Sequence, residues 1–378
     1  MRTVLYNGRI FTGDEFLEDA VVEVQQSTII SVGEKKAAVL DMPMGNEINL
    51  EGGLLVPAFI DIQLYGGNGK LFGEHPSLDA LNATVEYSRS GGATLILPTV
   101  ATNSQEIMIA AIEAVREYWQ KGLTGVAGLH LEGPYINPLR RGAHIPEHIR
   151  KPSVKDVEEL LRPGMGVIKM MTLAPEVCTP QIISYLQEHG VIVSAGHTNA
   201  TFSEAMEAFD GGIKLATHLF NAMSPLQHRA PGMAGAIMHH PDVNASIIPD
   251  GHHVDYPVIA IAKKVMGERL FIITDAVTEN TSGVYQHRLQ GDKYVMPDGT
   301  LSGSALTMLK AVKNCIEHAG IAEDESFRMA SLYPARVLSM HQRLGRIAKG
   351  FDAEMVWFDK DFQLKGIFTN GSFTRIAG

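Results

Sequence analysis

Between residues 55 and 345 the chain repeats one pattern eight times. Short apolar runs (AFIDIQL, ATLILPTV, GVAGLHLEG, GVIKMMTLAP, VIVSAGH, IKLATHLF, NASIIPDG and LFIITDA) are separated, for the most part, by stretches such as SQEIMIAAIEAVREYW, where apolar residues recur every three or four positions. The first kind of run reads as a buried strand and the second as an amphipathic helix. Strands that alternate with helices pair in parallel, because each helix returns the chain to the same end of the sheet. Eight such units predict a (β/α)8 TIM barrel, whose usual length is about 250 residues. The rival is an open, doubly wound sheet. It is disfavoured because no GxGxxG follows the first strand, and YGGNGK lacks the GxxxxGK[ST] spacing of a phosphate-cradling loop.

The two ends of the chain read differently. TVLYNGRIF, AVVEV, TIISVG and GLLVP near the start, and AEMVWF and LKGIFTNG near the finish, are strand-like pieces bounded by turn residues. They predict a small β-sandwich built from residues 1–54 and 346–378, with the barrel of residues 55–345 inserted between them. The length of 378 residues, 45% hydrophobic, suffices for both cores. A net charge of −10 argues against nucleic acid as a partner, since phosphate backbones need a basic surface, and favours a small substrate. No run of about 18 apolar residues occurs and MRTVLYNGRIFTG has no leader-like apolar core, so neither a membrane partner nor export is expected. Cys178 and Cys315 stand far apart and outside any CxxC pattern, which suits a reducing cytoplasm.

Polar residues gather where the predicted strands end. His130 and Glu132 close the third, His197 the fifth and His218 the sixth; His252 and His253 follow the seventh, and Asp275 ends the eighth. In a (β/α)8 barrel those ends converge on one mouth. A lone histidine there is more often a hydrogen-bonded structural residue. One carboxylate with two imidazoles, however, suits Zn²⁺ or a similar divalent ion with a position left open for water. A further carboxylate, Asp275, is then free to take a proton as that acidified water attacks a carbonyl. This set suits hydrolysis of an amide or ester. The first strand raises a separate question, because Asp61, Gln63 and Tyr65 alternate in FIDIQLYGG and so share one face of an otherwise apolar run.

The motifs VPAFIDIQLYGG, HLEGPYIN, SAGHTNAT, THLFNAMSPLQHRAPG, DGHHVDY, ITDA and GTLSGSALTM, in this order and across essentially the whole chain, resemble the N-acetylglucosamine-6-phosphate deacetylases of the amidohydrolase superfamily. The resemblance implies a metal-dependent barrel with a small β-domain made from both termini, and hydrolysis of the acetamide of N-acetylglucosamine 6-phosphate. It assigns one divalent ion (Zn, with Fe, Mn or Co as substitutes) to Glu132, His197 and His218, and makes Asp275 the general base and then acid. It places His144 at the acetamide carbonyl, a choice over His148 that the residues alone do not make. Asn221, the backbone of Ala222, His253 and Arg229 match sugar-phosphate contacts, with Arg229 reaching into a neighbouring subunit's site, which implies a homodimer. Gln63 and Tyr65 stand where many amidohydrolases have two histidines for a second metal. Neither is a strong ligand, so one ion is expected.

GVYQHRLQGDKYVMPDGTLSGSALTM has the turn signals of a β-hairpin, and the resemblance sets LSGS beside the substrate. Two departures from the pattern, Ala230 in HRAPG and His252 beside His253, leave open which histidine meets phosphate. The competing readings are an amidohydrolase acting on a different amide and a catalytically silent barrel kept as a scaffold.

Overall fold

The computed structural model describes residues 2–34 and 46–376. Of the segments expected in the terminal β-domain, residues 1, 35–45 and 377–378 lie outside the described residues. The chain divides into two compact units, Met1–Ile60 with Arg89–Thr94 and Ile321–Gly378, and Asp61–Ser88 with Leu95–Gly320.

In the first unit, strands from both chain ends pair in one sheet. Met355–Phe358 lies antiparallel to Leu54–Pro57, which pairs with Arg2–Phe11; Phe16–Gln25 and Thr28–Glu34 extend one side, and Leu364–Thr369 and Ser372–Arg375 the other. Val24 and Ile29 from one end of this path share a buried cluster with Phe368 from the other, together with Leu5, Leu55 and Trp357. A flat sheet cannot bring those strands together, so it curls over a single core.

The predicted barrel is present. Its strands, among the described residues, are β1 (Phe59–Leu64), β2 (Ala93–Ala101), β3 (Leu129–Glu132), β4 (Ile168–Leu173), β5 (Ile192–Ala195), β6 (Leu215–Ala216), β7 (Asn244–Ile247) and β8 (Leu270–Ile272), hydrogen-bonded in chain order. The helices between them follow the expected logic. In Gln105–Gln120, Ser104 caps the start by accepting from Ile107 N, and the buried Met108, Ala111, Ile112 and Val115 form one stripe. The barrel interior is partly polar and internally satisfied. His130 contacts Thr99 Oγ1 (3.3 Å) through Nδ1 and Thr172 Oγ1 (2.8 Å) through Nε2, and Thr172 continues to Thr217 (2.8 Å) and Ser194 (2.6 Å from Thr217). Both ring nitrogens are occupied and burial pushes its pKa down to about 4, so His130 belongs to the barrel's packing.

The seam between β8 and β1 closes just beyond the strands. Asp275 N donates to Gln63 O (2.9 Å) and Tyr65 N to Ala276 O (2.8 Å). Asp61 ties this seam from inside, accepting from Thr274 N and Gln63 N (3.3 Å each) and from the Thr274 hydroxyl. Burial pushes the Asp61 carboxyl up to about 7, outweighing the Thr274 bonds. A raised pKa means that the folded protein holds this proton more tightly than the unfolded chain. The stabilisation is therefore full below the unfolded value near 4 and is lost as pH rises through 7. Stability should fall more steeply across pH 4–7 in the native protein than in Asp61→Asn, as denaturant midpoints at several pH values would show.

Candidate active site

A cavity of about 190 Å³ opens at the C-terminal ends of the barrel strands, and Glu132, His144, His197, His218 and Asp275 all line it. Three of these sit in left-handed backbone, His197 (φ 47°), His218 (φ 33°) and Asp275 (φ 54°), as do the neighbouring Phe220 (φ 78°) and Ala222 (φ 49°). Each such non-glycine residue costs about 1–3 kcal/mol, and their concentration at one mouth is the mark of a functional site.

Glu132 lies at the centre of the cluster. Its Oε1 is 3.3 Å from His197 Nε2 and 3.1 Å from His218 Nε2, and the two imidazole nitrogens are 3.1 Å apart. His197 Nδ1 is 2.9 Å from the carbonyl oxygen of Arg140, which can only accept. The neutral ring therefore carries its hydrogen on Nδ1 and presents a lone pair at Nε2. With that ring neutral, electron pairs on His197 Nε2 and Glu132 Oε1 face each other, and a proton or a metal ion between them relieves the repulsion. A tetrahedral ion with bonds of 2.0–2.1 Å needs donor–donor edges of about 3.3 Å, and this triangle fits. The side-chain donor atoms of Glu132, His144 and His197 also lie within 4.8 Å of one another, which sets His144 beside the same point.

His144 faces the other side of the carboxylate. The backbone N–H of Thr102 donates to its Nδ1 (3.2 Å), so the neutral ring's hydrogen is on Nε2, 3.0 Å from Glu132 Oε2. Burial and the nearby His197 hold its pKa down to about 4. It is a neutral donor aimed into the cavity. Burial works to raise the pKa of Glu132, but His197 and the bonds from three histidines hold it well below the ordinary range. Asp275 is shifted the opposite way, raised by burial and by Glu132 despite His218. Two carboxylates in one cavity thus differ in proton affinity.

Asn221, Ala222 and His253 line the same cavity. Asp250 orients His253, accepting from its backbone N (2.8 Å) and contacting Nδ1 (2.6 Å), which leaves Nε2 for a ligand. His252 is turned away and contacts Asp292 Oδ1 through Nε2 (2.8 Å). Arg229 is exposed and is not part of the cavity wall. His148 is half-buried outside the cavity. The expected hairpin has a third strand: Leu301–Ser304 pairs with Lys293–Val295, which pairs with Arg288–Gln290. The turn Met296–Thr300 folds the chain back, with Met296 N donating to Thr300 O (2.8 Å). Gly303 lets this strand pass close to Asp275, since at φ +65° a Cβ would lie 2.9 Å from Asp275 O.

Several supporting residues carry no signal of their own in the sequence. Thr102, which sets the His144 ring, is an ordinary threonine after a strand. Glu176, just past β4, accepts from Asn137 Nδ2 (2.9 Å), Asn199 N (2.6 Å) and Thr198 Oγ1 (2.5 Å), tying together the loops that hold the Arg140 carbonyl and His197. Its place after a barrel strand was the one available clue.

A (β/α)8 barrel that gathers a carboxylate, imidazoles and a second, differently poised carboxylate at its mouth has the build of a metal-dependent hydrolase. The chain belongs to the amidohydrolase family, which residues 54–375 match. It is 35% identical to the N-acetylglucosamine-6-phosphate deacetylase of Haemophilus influenzae, over 99% of each chain. It is 34% identical to the N-acetylgalactosamine-6-phosphate deacetylase of a Shewanella species, over 96% of this chain and 93% of that one. The solved N-acetyl-D-glucosamine-6-phosphate deacetylase of Mycobacterium smegmatis, a mutant in complex with N-acetyl-D-glucosamine-6-phosphate, superposes with a TM-score of 0.90 at 28% identity, covering 98% of this chain and 99% of that one.

Proposed function

We propose that this chain hydrolyses the acetamide of N-acetylglucosamine 6-phosphate to acetate and glucosamine 6-phosphate, with residues 55–345 as the catalytic domain. The observation that carries the reading is the triangle of Glu132 Oε1, His197 Nε2 and His218 Nε2, with the differently poised Asp275 in the same cavity. The three donors would hold one divalent ion, Zn²⁺ by preference, and the ion when bound polarises a carbonyl and acidifies water. His144 Nε2–H donates to the acetamide oxygen as negative charge gathers there. Asp275 takes a proton from the attacking water and returns it to the departing nitrogen, so the amine leaves neutral. Its raised proton affinity suits both halves of that transfer.

His253, Asn221 and the backbone of Ala222 would bind the sugar phosphate. Arg229, on an exposed loop, would complete the site of a second copy in a homodimer, its planar fork matching phosphate oxygens. A cytoplasmic location fits two free thiols. Among the described residues no helix is long and apolar enough to cross a membrane.

Acetate release should be fast with the 6-phosphate and slow with the unphosphorylated sugar; equal rates would defeat the reading. Arg229→Ala should raise KM for the phosphorylated sugar by about 10–100-fold with kcat little changed, because it removes binding energy remote from the reacting bond. The Shewanella relative motivates a second substrate, N-acetylgalactosamine 6-phosphate, to be assayed beside the first.

A further inference from the structure

One polar wall of the cavity is used neither by the acetamide chemistry nor by the phosphate contacts. The three-stranded sheet brings His287 and Ser302 to the cavity, and Glu74 lines it too. His287 is 5% exposed and Ser302 1%. Ser302 Oγ lies 2.6 Å from His287 Nδ1. The backbone of His287 exchanges hydrogen bonds with that of Asn280 (2.8 and 3.0 Å), and Asn280 Nδ2 donates to Glu74 Oε2 (2.6 Å). The imidazole is also nearly parallel to the Tyr285 ring, at 10° with 6.4 Å between centroids. Backbone and ring are therefore both fixed, with Nδ1 taken. Among the described residues no hydrogen bond engages Nε2. An imidazole nitrogen kept free on a buried wall is a hydrogen-bonding site for whatever fills the cavity.

We propose that His287 is a specificity-determining residue whose Nε2, aimed by the bond from Nδ1 to Ser302, binds a ring hydroxyl of the sugar phosphate. The inference rests on the sugar-phosphate reading above. That reading holds the C2 acetamide at Glu132, His197 and His218 and the C6 phosphate at His253 and Asn221, which leaves the hydroxyls at C1, C3 and C4 to be recognised. The chemistry of the wall selects a hydroxyl. Burial pushes the His287 pKa down to about 4, so the ring is neutral at physiological pH. A neutral imidazole, with Glu74 joined to the same wall through Asn280, is a poor partner for phosphate and a good one for a group that both donates and accepts. His287 lies outside the motifs that carry the family resemblance, so the contact belongs to this chain's own sequence.

Asparagine and glutamine divide the two ring nitrogens between them. In His287→Asn the amide stands where Nδ1 was and keeps the Ser302 bond, while nothing replaces Nε2; in His287→Gln the amide reaches the Nε2 position instead. With N-acetylglucosamine 6-phosphate, KM should rise about 3–10-fold in His287→Asn with kcat within about twofold, and rise less in His287→Gln. Among the 1-, 3- and 4-deoxy analogues, one should give native protein and His287→Asn the same KM, because the partner hydroxyl is gone. An unchanged KM in His287→Asn overturns the proposal, and so does a rise of equal size on the parent sugar and all three analogues, which is what a purely structural role gives. Glucosamine 6-phosphate keeps the same hydroxyls and needs no turnover. Its calorimetric Kd should rise by a like factor in His287→Asn, and an unchanged Kd overturns the proposal even where acetate is released. Native protein that binds this ligand but releases no acetate defeats the deacetylase reading alone.

Discussion

Asp275→Asn is expected to lower kcat by about 10²–10⁴-fold, the range that general acid–base catalysis supplies, while Zn²⁺ content and thermal midpoint stay near native values. Asparagine keeps the shape of the side chain and can still accept from Gln63 through its oxygen. It cannot take a proton from water or return one to the nitrogen. Because Asp275 lies outside the donor triangle of Glu132, His197 and His218, the loss should appear in turnover and not in metal content. Near-native turnover would show that another group moves the proton. Elemental analysis beside single-turnover assays separates the two effects.

Glu132→Gln should have the other large effect, with a different signature. The carboxylate supplies Oε1 to two imidazole nitrogens at 3.3 and 3.1 Å, and its replacement by a neutral amide removes the only charged vertex of the triangle. Zn²⁺ affinity should fall by more than about 100-fold, beyond what loss of an outer orienting group costs. Turnover should collapse with it and recover in part at high added Zn²⁺. If turnover falls with Zn²⁺ affinity unchanged, Glu132 is not a ligand. Equilibrium dialysis of the folded variant decides between these outcomes.

Much of this architecture was legible before any coordinates. Strand and helix periods differ, two residues against 3.6, and each is written locally, so eight alternations announced the barrel. The barrel then makes a long-range statement at no further cost: residues that end its strands meet. That is why Glu132, His197, His218 and Asp275 could be grouped although they are separated by as many as 143 residues (275 − 132). The same rule also gathered His130, which the structure places in the barrel's packing. Two positions before the strand end, its side chain points into the barrel, where Thr99 and Thr172 occupy both ring nitrogens.

Loop residues were less legible, and the reason is physical. Choosing His144 over His148 from residues alone fails because a loop side chain's direction is set by partners distant in sequence. Here that partner is the backbone N–H of Thr102, 42 residues away. His252 and His253 are adjacent and chemically identical, yet Asp250 holds one toward the cavity while Asp292, 40 residues on, engages the other. The alternation of Asp61, Gln63 and Tyr65 was visible as a pattern, and its oddity as a polar stripe. Its division of labour was not: Asp61 ties the seam to Thr274, while Gln63 and Tyr65 reach Glu132 and Asp275. By itself, the sequence determined the barrel, its strand ends and the kinds of chemical group placed there, because those depend on local period. Tertiary structure alone decided which nitrogen carries a hydrogen and which carboxylate oxygen faces the two histidines, because those depend on contacts between segments that share no local pattern.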